Sequence, residues 1–149
     1  MNTTVTQAAD DILSMFKTGW EVPDSAADLG GGTYVPVYWP NVDTDGPTDV
    51  AAEWVRITFI NSGTGRHAGI GSGTGRYKKV GAVIFQVFVE KGMGPDRSNA
   101  LVQQIVDVFD GKTSTNGVLF TDTAIEVIGA DQGWWNVNTT VDFEFSEFK

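Results

Sequence analysis

WVRITFINSGTGRHAGIGSGTGRYKKVGAVIFQVFVE, residues 54–90, decides the fold. Its two ends alternate with a period of two. Val55, Ile57 and Phe59 fall on one face of a strand, with Trp54, Arg56, Thr58 and Ile60 on the other. In the second run Val83, Phe85, Val87 and Val89 form the apolar face. Two long, β-branched strands on either side of a glycine-rich segment predict an antiparallel pair. The connection, a Gly/Arg-rich loop over 61–79, is far longer than the usual roughly 2–5 residues and is read as extended and flexible.

That connection carries an unusual charge pattern. SGTGR occurs twice, at 62–66 and 72–76. Between Trp54 and Val89 there is no Asp or Glu, yet five of the ten bases lie there: Arg56, Arg66, Arg76, Lys78 and Lys79. The 19 acids all lie elsewhere, in a chain of net charge −9. Such segregation predicts a partner-binding loop with Arg66, His67, Arg76, Lys78 and Lys79 as its contacts. Glycine and serine supply backbone freedom there, and arginine supplies forked donors.

Outward from this pair, residues 4–18 read as an amphipathic helix with Thr4 and Gln7 as a capping box and Gly19 just past its end. Asp10 and Asp11 are expected to face solvent. Residues 20–33 read as a polar connection, and YVPVYWPN, 34–41, as a short strand that Pro36 confines to a sheet edge. A second helix is predicted over 95–110, with Pro95 in its first turn and Gly111 ending it. Strands over 117–129 and 134–146 follow, turning at Asp131-Gln132-Gly133. The order α-β-β-β-α-β-β predicts an α+β fold, a single domain over 1–149 with a mainly antiparallel sheet packed by two helices. Trp39, Trp54, Trp134 and Trp135 lie in or beside strands, as core packing or subunit contacts. Trp134 and Trp135 must point to opposite faces.

The pattern excludes most chemistry. There is no cysteine, and His67 is the single histidine, so neither thiolate nor His-pair metal sites can form. Gly63 and Gly65 are followed by Gly69 one residue too late for GxGxxG, and the run precedes a strand. Gly111-Lys112-Thr113 resembles the tail of a phosphate loop, but Val106 stands where glycine is required. Asp43 and Asp45 begin like a calcium loop that Pro47, Thr48 and Trp54 then break. No catalytic, cofactor or metal residue is assigned, and no enzyme activity is expected. No apolar run approaches the roughly 18–20 residues of a membrane span.

Several segments together resemble the tail terminator, or tail-completion, proteins of long-tailed bacteriophages. They are YVPVYWPN, WVRITF, the glycine/basic loop, GAVIFQVFVEKGMGP opening NALVQQIVDVFDG, then GVLF and GWWNVNTTVDFEF, spread over residues 5–146. The resemblance implies a structural virion protein that forms a hexameric ring at the head-proximal end of the tail tube. Such a ring ends tube polymerisation and provides the interface for head–tail joining. Its implied partners are further copies of the chain, the tail tube protein and a head–tail connector or neck protein. Genomic DNA would pass through the lumen without sequence-specific binding, and the protein would be made in the host bacterial cytoplasm. Two other readings stay open at this stage: a head-side neck or connector component, and a nucleic-acid-binding module using the basic loop.

Overall fold

A computed structural model describes residues 2–40, 53–61, 66–67, 75–92, 95–131 and 133–148. Helix α1 spans Val5–Trp20 and begins with the expected capping box between Thr4 and Gln7. Its buried face is Ala8, Ile12, Phe16 and Trp20. The Trp20 indole N–H donates to the Val35 carbonyl, which satisfies its one polar group inside the core.

Gly19 lies inside the last turn of α1 and not beyond it. Helix α2, Pro95–Phe109, explains the residue. A Cβ at position 19 would stand 2.3 Å from Val108 Cγ2, so glycine there permits close approach of the two helices. Gly19→Ala gains about 1 kcal/mol of helix propensity but forces an overpacked contact costing about 1–3 kcal/mol. The expected result in urea unfolding is a net loss of about 1 kcal/mol, recovered when Val108→Ala makes room.

The main sheet has the order β3-β4-β6-β8-β7. Strand β3 is Val37–Tyr38, β4 Glu53–Asn61, β6 Arg76–Glu90, β7 Leu119–Asp131 and β8 Trp134–Phe148. The four long strands pair antiparallel, whereas β3 joins β4 in parallel at Val55 and Arg56. The alternation read from the chain gives the inner face: Val55, Ile57, Val83, Phe85, Val87, Val89, Val137, Val141, Phe143 and Phe145 are buried in one cluster with both helices. Helix α2 ends at Phe109, and Gly111 follows with φ +68°, a conformation suited to glycine. The α+β architecture with two helices on a mostly antiparallel sheet therefore holds.

The details depart from expectation in two places. The 20–33 connection contains a small hairpin, β1 (Asp28–Gly30) against β2 (Thr33–Tyr34). Gly31 and Gly32 turn it with φ of +63° and +78°, the paired positive values of a tight hairpin. The strand expected over 34–41 is thus split around Pro36. That proline has no N–H for a ladder, and its carbonyl accepts from Val55 N.

The second departure concerns the 61–79 loop. Strand β6 starts at Arg76, and Arg66–His67 form a short strand, β5, antiparallel to it through Arg66↔Lys78 and His67↔Tyr77. Residues 62–65 and 68–74 lie outside the described residues, as do Asp43, Asp45, Pro47, Thr48 and Gln132.

Candidate functional site

The basic residues proposed as a loop are placed by strand pairing. Register sets Lys78 opposite Ser146 and Lys79 opposite Phe145. The diagonal neighbours on each face are therefore Glu144 and Glu147. Lys78 Nζ lies 2.7 Å from Glu144, and Lys79 Nζ donates to Glu147 at 2.5 Å. Arg76 Nε donates to Ser146 Oγ at 2.9 Å. Charge segregated along the chain is thus mixed again in space, because β8 brings acids beside β6. These pairs are part-exposed and contribute no more than about 1 kcal/mol each. Their effect is to turn Lys78 and Lys79 toward their own sheet.

Arg56 is different. It sits on the outer face of β4, exposed, with its Nε donating to Gln86 Oε1 at 2.7 Å. Its guanidinium carbon is 5.8 Å from the Trp54 ring centroid and 5.5 Å from that of Phe88. Those rings stack at 4.0 Å and 8°, with Tyr38 and Trp134 edge-on to Trp54 at 5.3 and 6.0 Å. A positive group is therefore held in place on a rigid aromatic platform and kept accessible to an acid.

The tryptophans all have partners within the chain. Trp54 is buried, Trp39 packs edge-on to Phe16 at 5.9 Å, and Trp135 packs on the core. Trp134 and Trp135 do face opposite sides, the former meeting Trp54 on the outer face.

At the far side of the sheet, β7 has only β8 as a strand neighbour among the described residues from Phe120 onward. Three of its apolar side chains along this stretch are exposed: Ile125 at 56%, Val127 at 59% and Ile128 at 48%. Helix α2 reaches β7 only near its start, where Phe109 meets Phe120 and Asp110 accepts from Thr123. The remainder of the strand is an apolar edge of the kind that soluble proteins ordinarily cover or blunt.

These surfaces sit on a fold with known relatives. A family model described as phage tail terminator protein matches residues 13–143. The chain belongs to the phage tail terminator family. Twelve solved chains also match this terminator. One has a TM-score of 0.57 at 18% identity, covering 91% of this chain and 93% of that one, a likeness of fold. No curated protein matches the chain. Family membership makes this a structural protein of the phage tail. Among the described residues no helix of the terminator is long and apolar enough to cross a membrane.

Three polar contacts of the terminator, made by Gln104, by Glu53 with Arg97 and by Asp11, have no obvious signal in the chain. Gln104, on α2, accepts from Ala27 N and donates to the Gly19 and Trp20 carbonyls, closing the C-terminal end of α1. Glu53 and Arg97 form a two-pronged ion pair. Asp11, expected to face solvent, instead accepts from Ser114 Oγ, Asn116 N and Asn116 Nδ2. The Asn116 carbonyl in turn accepts from Thr3 Oγ1, so one knot fastens the chain start and α1 to the segment before β7.

Partial burial pushes the Asp11 carboxyl up, but the hydrogen bonds from Ser114 and Asn116 outweigh it and the net shift is downward. A folded value below the unfolded one, about 3.9, means the stabilisation is present above that pH and lost as pH falls through the folded value. Asp11→Asn is expected to lower stability by about 1–2 kcal/mol at pH 7 and by little at the acid end. Urea unfolding at pH 7 and at successively lower pH distinguishes the two; a loss that stays the same throughout the acid range would remove the carboxylate's role.

Proposed function

We propose that this terminator closes the head-proximal end of the tail tube as a six-subunit ring, ending tube growth and offering the face to which a head-side connector joins. The family match over 13–143 carries the reading. The two sides of the sheet support it. A ring needs head-to-tail contacts between unlike surfaces, and the acidic, apolar β7 edge differs from the β4 side with its mounted Arg56. The backbone pairing of β5 with the start of β6 supports reading Arg66, His67 and Arg76 together as the contacts for an acidic tube or connector rim. Lys78 and Lys79 are secondary there because Glu144 and Glu147 already engage them. The same engagement weakens the nucleic-acid-binding alternative. DNA then passes the ring without being held.

Purified protein added to assembling tail tubes should stop their elongation and appear in negative stain as a terminal ring. Unchanged tube growth would remove the assignment. An Arg66→Ala, Arg76→Ala variant should still form rings, while the yield of head-joined tails falls about tenfold or more. Normal joining by that variant would take the basic end of the sheet out of the interface.

A further inference from the structure

The two sides of the main sheet are unlike, and their chemistry is complementary. We propose that the β7 edge of one copy pairs with the β4 edge of the next, so that neighbouring subunits share one continuous antiparallel sheet. The inference rests on the proposed ring and names the contact that builds it.

Backbone direction permits it. Along the order β4, β6, β8, β7 each strand reverses its neighbour. Four alternating strands leave β4 and β7 antiparallel to one another. Laying the β7 edge of one sheet beside the β4 edge of another, same face up, therefore makes an antiparallel junction.

Length permits it too. Strand β3 covers β4 only at Val55 and Arg56, which leaves Ile57–Asn61 without a strand neighbour on that side among the described residues. On β7 the stretch between the two register irregularities, Asp122 to Val127, is regular. Five residues of each match when Thr123–Val127 runs against Ile57–Asn61. Ile125 then stands opposite Phe59 and Val127 opposite Ile57, both on the helix-bearing face. Ala124 stands opposite Ile60 on the outer face, where Ile60 is 51% exposed. The pairing covers the exposed Ile125 and Val127 of one edge and Ile60 of the other, while Ile128 lies beyond the paired stretch.

Charge selects this pairing over β7 on itself. Strand β7 has no Lys or Arg, and its outer face carries exposed Asp122 and Glu126. An antiparallel β7–β7 contact centred on Ala124 would set Asp122 of each copy against Glu126 of the other, like charges directly across a ladder. Against β4, Glu126 lies across from Thr58 and diagonal to Arg56, an exposed cation held on the Trp54–Phe88 platform.

The chain has no cysteine, so introduced thiols report only on their own neighbours. Ala124→Cys and Ile60→Cys are prepared as separate variants, both at surface positions, and oxidised alone and mixed. The reaction is run on free protein and on protein added to tail tubes, with tube elongation scored in parallel. A disulfide in the mixture and none in either variant alone is expected. Cross-linking of Ala124→Cys alone would overturn the proposal in favour of β7 self-pairing. No cross-link while elongation still stops would overturn the edge pairing and leave tube capping intact. A cross-link without any effect on elongation would keep the edge pairing and remove tube capping. Neither cross-link nor effect overturns both.

Discussion

Phe85→Ala is expected to lower the stability of the terminator by about 3–5 kcal/mol. Phe85 is fully buried at the middle of β6. Its ring lies 4.7 Å from Phe16 of α1 and 5.4 Å from Phe109 of α2. Phe16 continues to Trp20 at 5.2 Å, and Phe109 to Phe120 of β7 at 4.9 Å. One side chain therefore joins both helices and the edge strand through a single file of rings. Alanine would leave a void bounded by rigid aromatic groups and strand backbone, which relax poorly. The lost transfer energy and the cavity then add. For a chain of this length the loss corresponds to a fall in Tm of roughly 10 °C. Ile84→Ala, on the opposite face of the same strand and only half-buried, should cost much less. Equal losses for the two would show that the ring file carries no special weight.

Phe85 was also legible in the sequence, and the reason is general to this fold. Long strands with one face against helices must alternate, so β4, β6 and β8 show their inner faces directly as Val55-Ile57, Val83-Phe85-Val87-Val89 and Val137-Val141-Phe143. Helix ends were legible where a cap uses local chemistry, as at Thr4 and Gly111. The hairpin β1–β2 was not, because strands of three and two residues are too short to display a period. Gly19 was misplaced because its reason is Val108, 89 positions further along the chain. The same limit affects the candidate site. Arg76, Lys78 and Lys79 read as an unopposed basic group because their partners Ser146, Glu144 and Glu147 are more than sixty residues away. Only strand register brings them together. Local patterns specify faces; charge partners across a sheet depend on pairing that composition does not encode.

Arg97→Ala is expected to cost about 2–4 kcal/mol, measured by urea unfolding, with weak dependence on salt. Glu53 opens β4 and is only 8% exposed. Arg97 lies in the first turn of α2, and its Nε and Nη2 donate to the two carboxylate oxygens of Glu53 at 2.6 and 2.5 Å. A cation in that turn opposes the helix dipole, so the residue is there for Glu53 and not for the helix. Removing it leaves a carboxylate in a nearly closed position with no ion-pair partner among the described residues, which is costlier than the pair itself is favourable. The double variant Glu53→Ala, Arg97→Ala should therefore be more stable than Arg97→Ala alone, although it lacks more contacts. Arg97→Lys should recover only part of the loss, since an ammonium cannot offer two parallel donors. The pair fixes the start of the strand whose far half, Ile57–Asn61, is assigned to the neighbouring subunit. Loosening it should weaken ring assembly beyond what the fall in stability alone would produce. Comparing Arg97→Ala with Phe85→Ala at temperatures giving equal folded fractions tests this: the Arg97 variant should assemble less well, and equal assembly would confine the ion pair to stability.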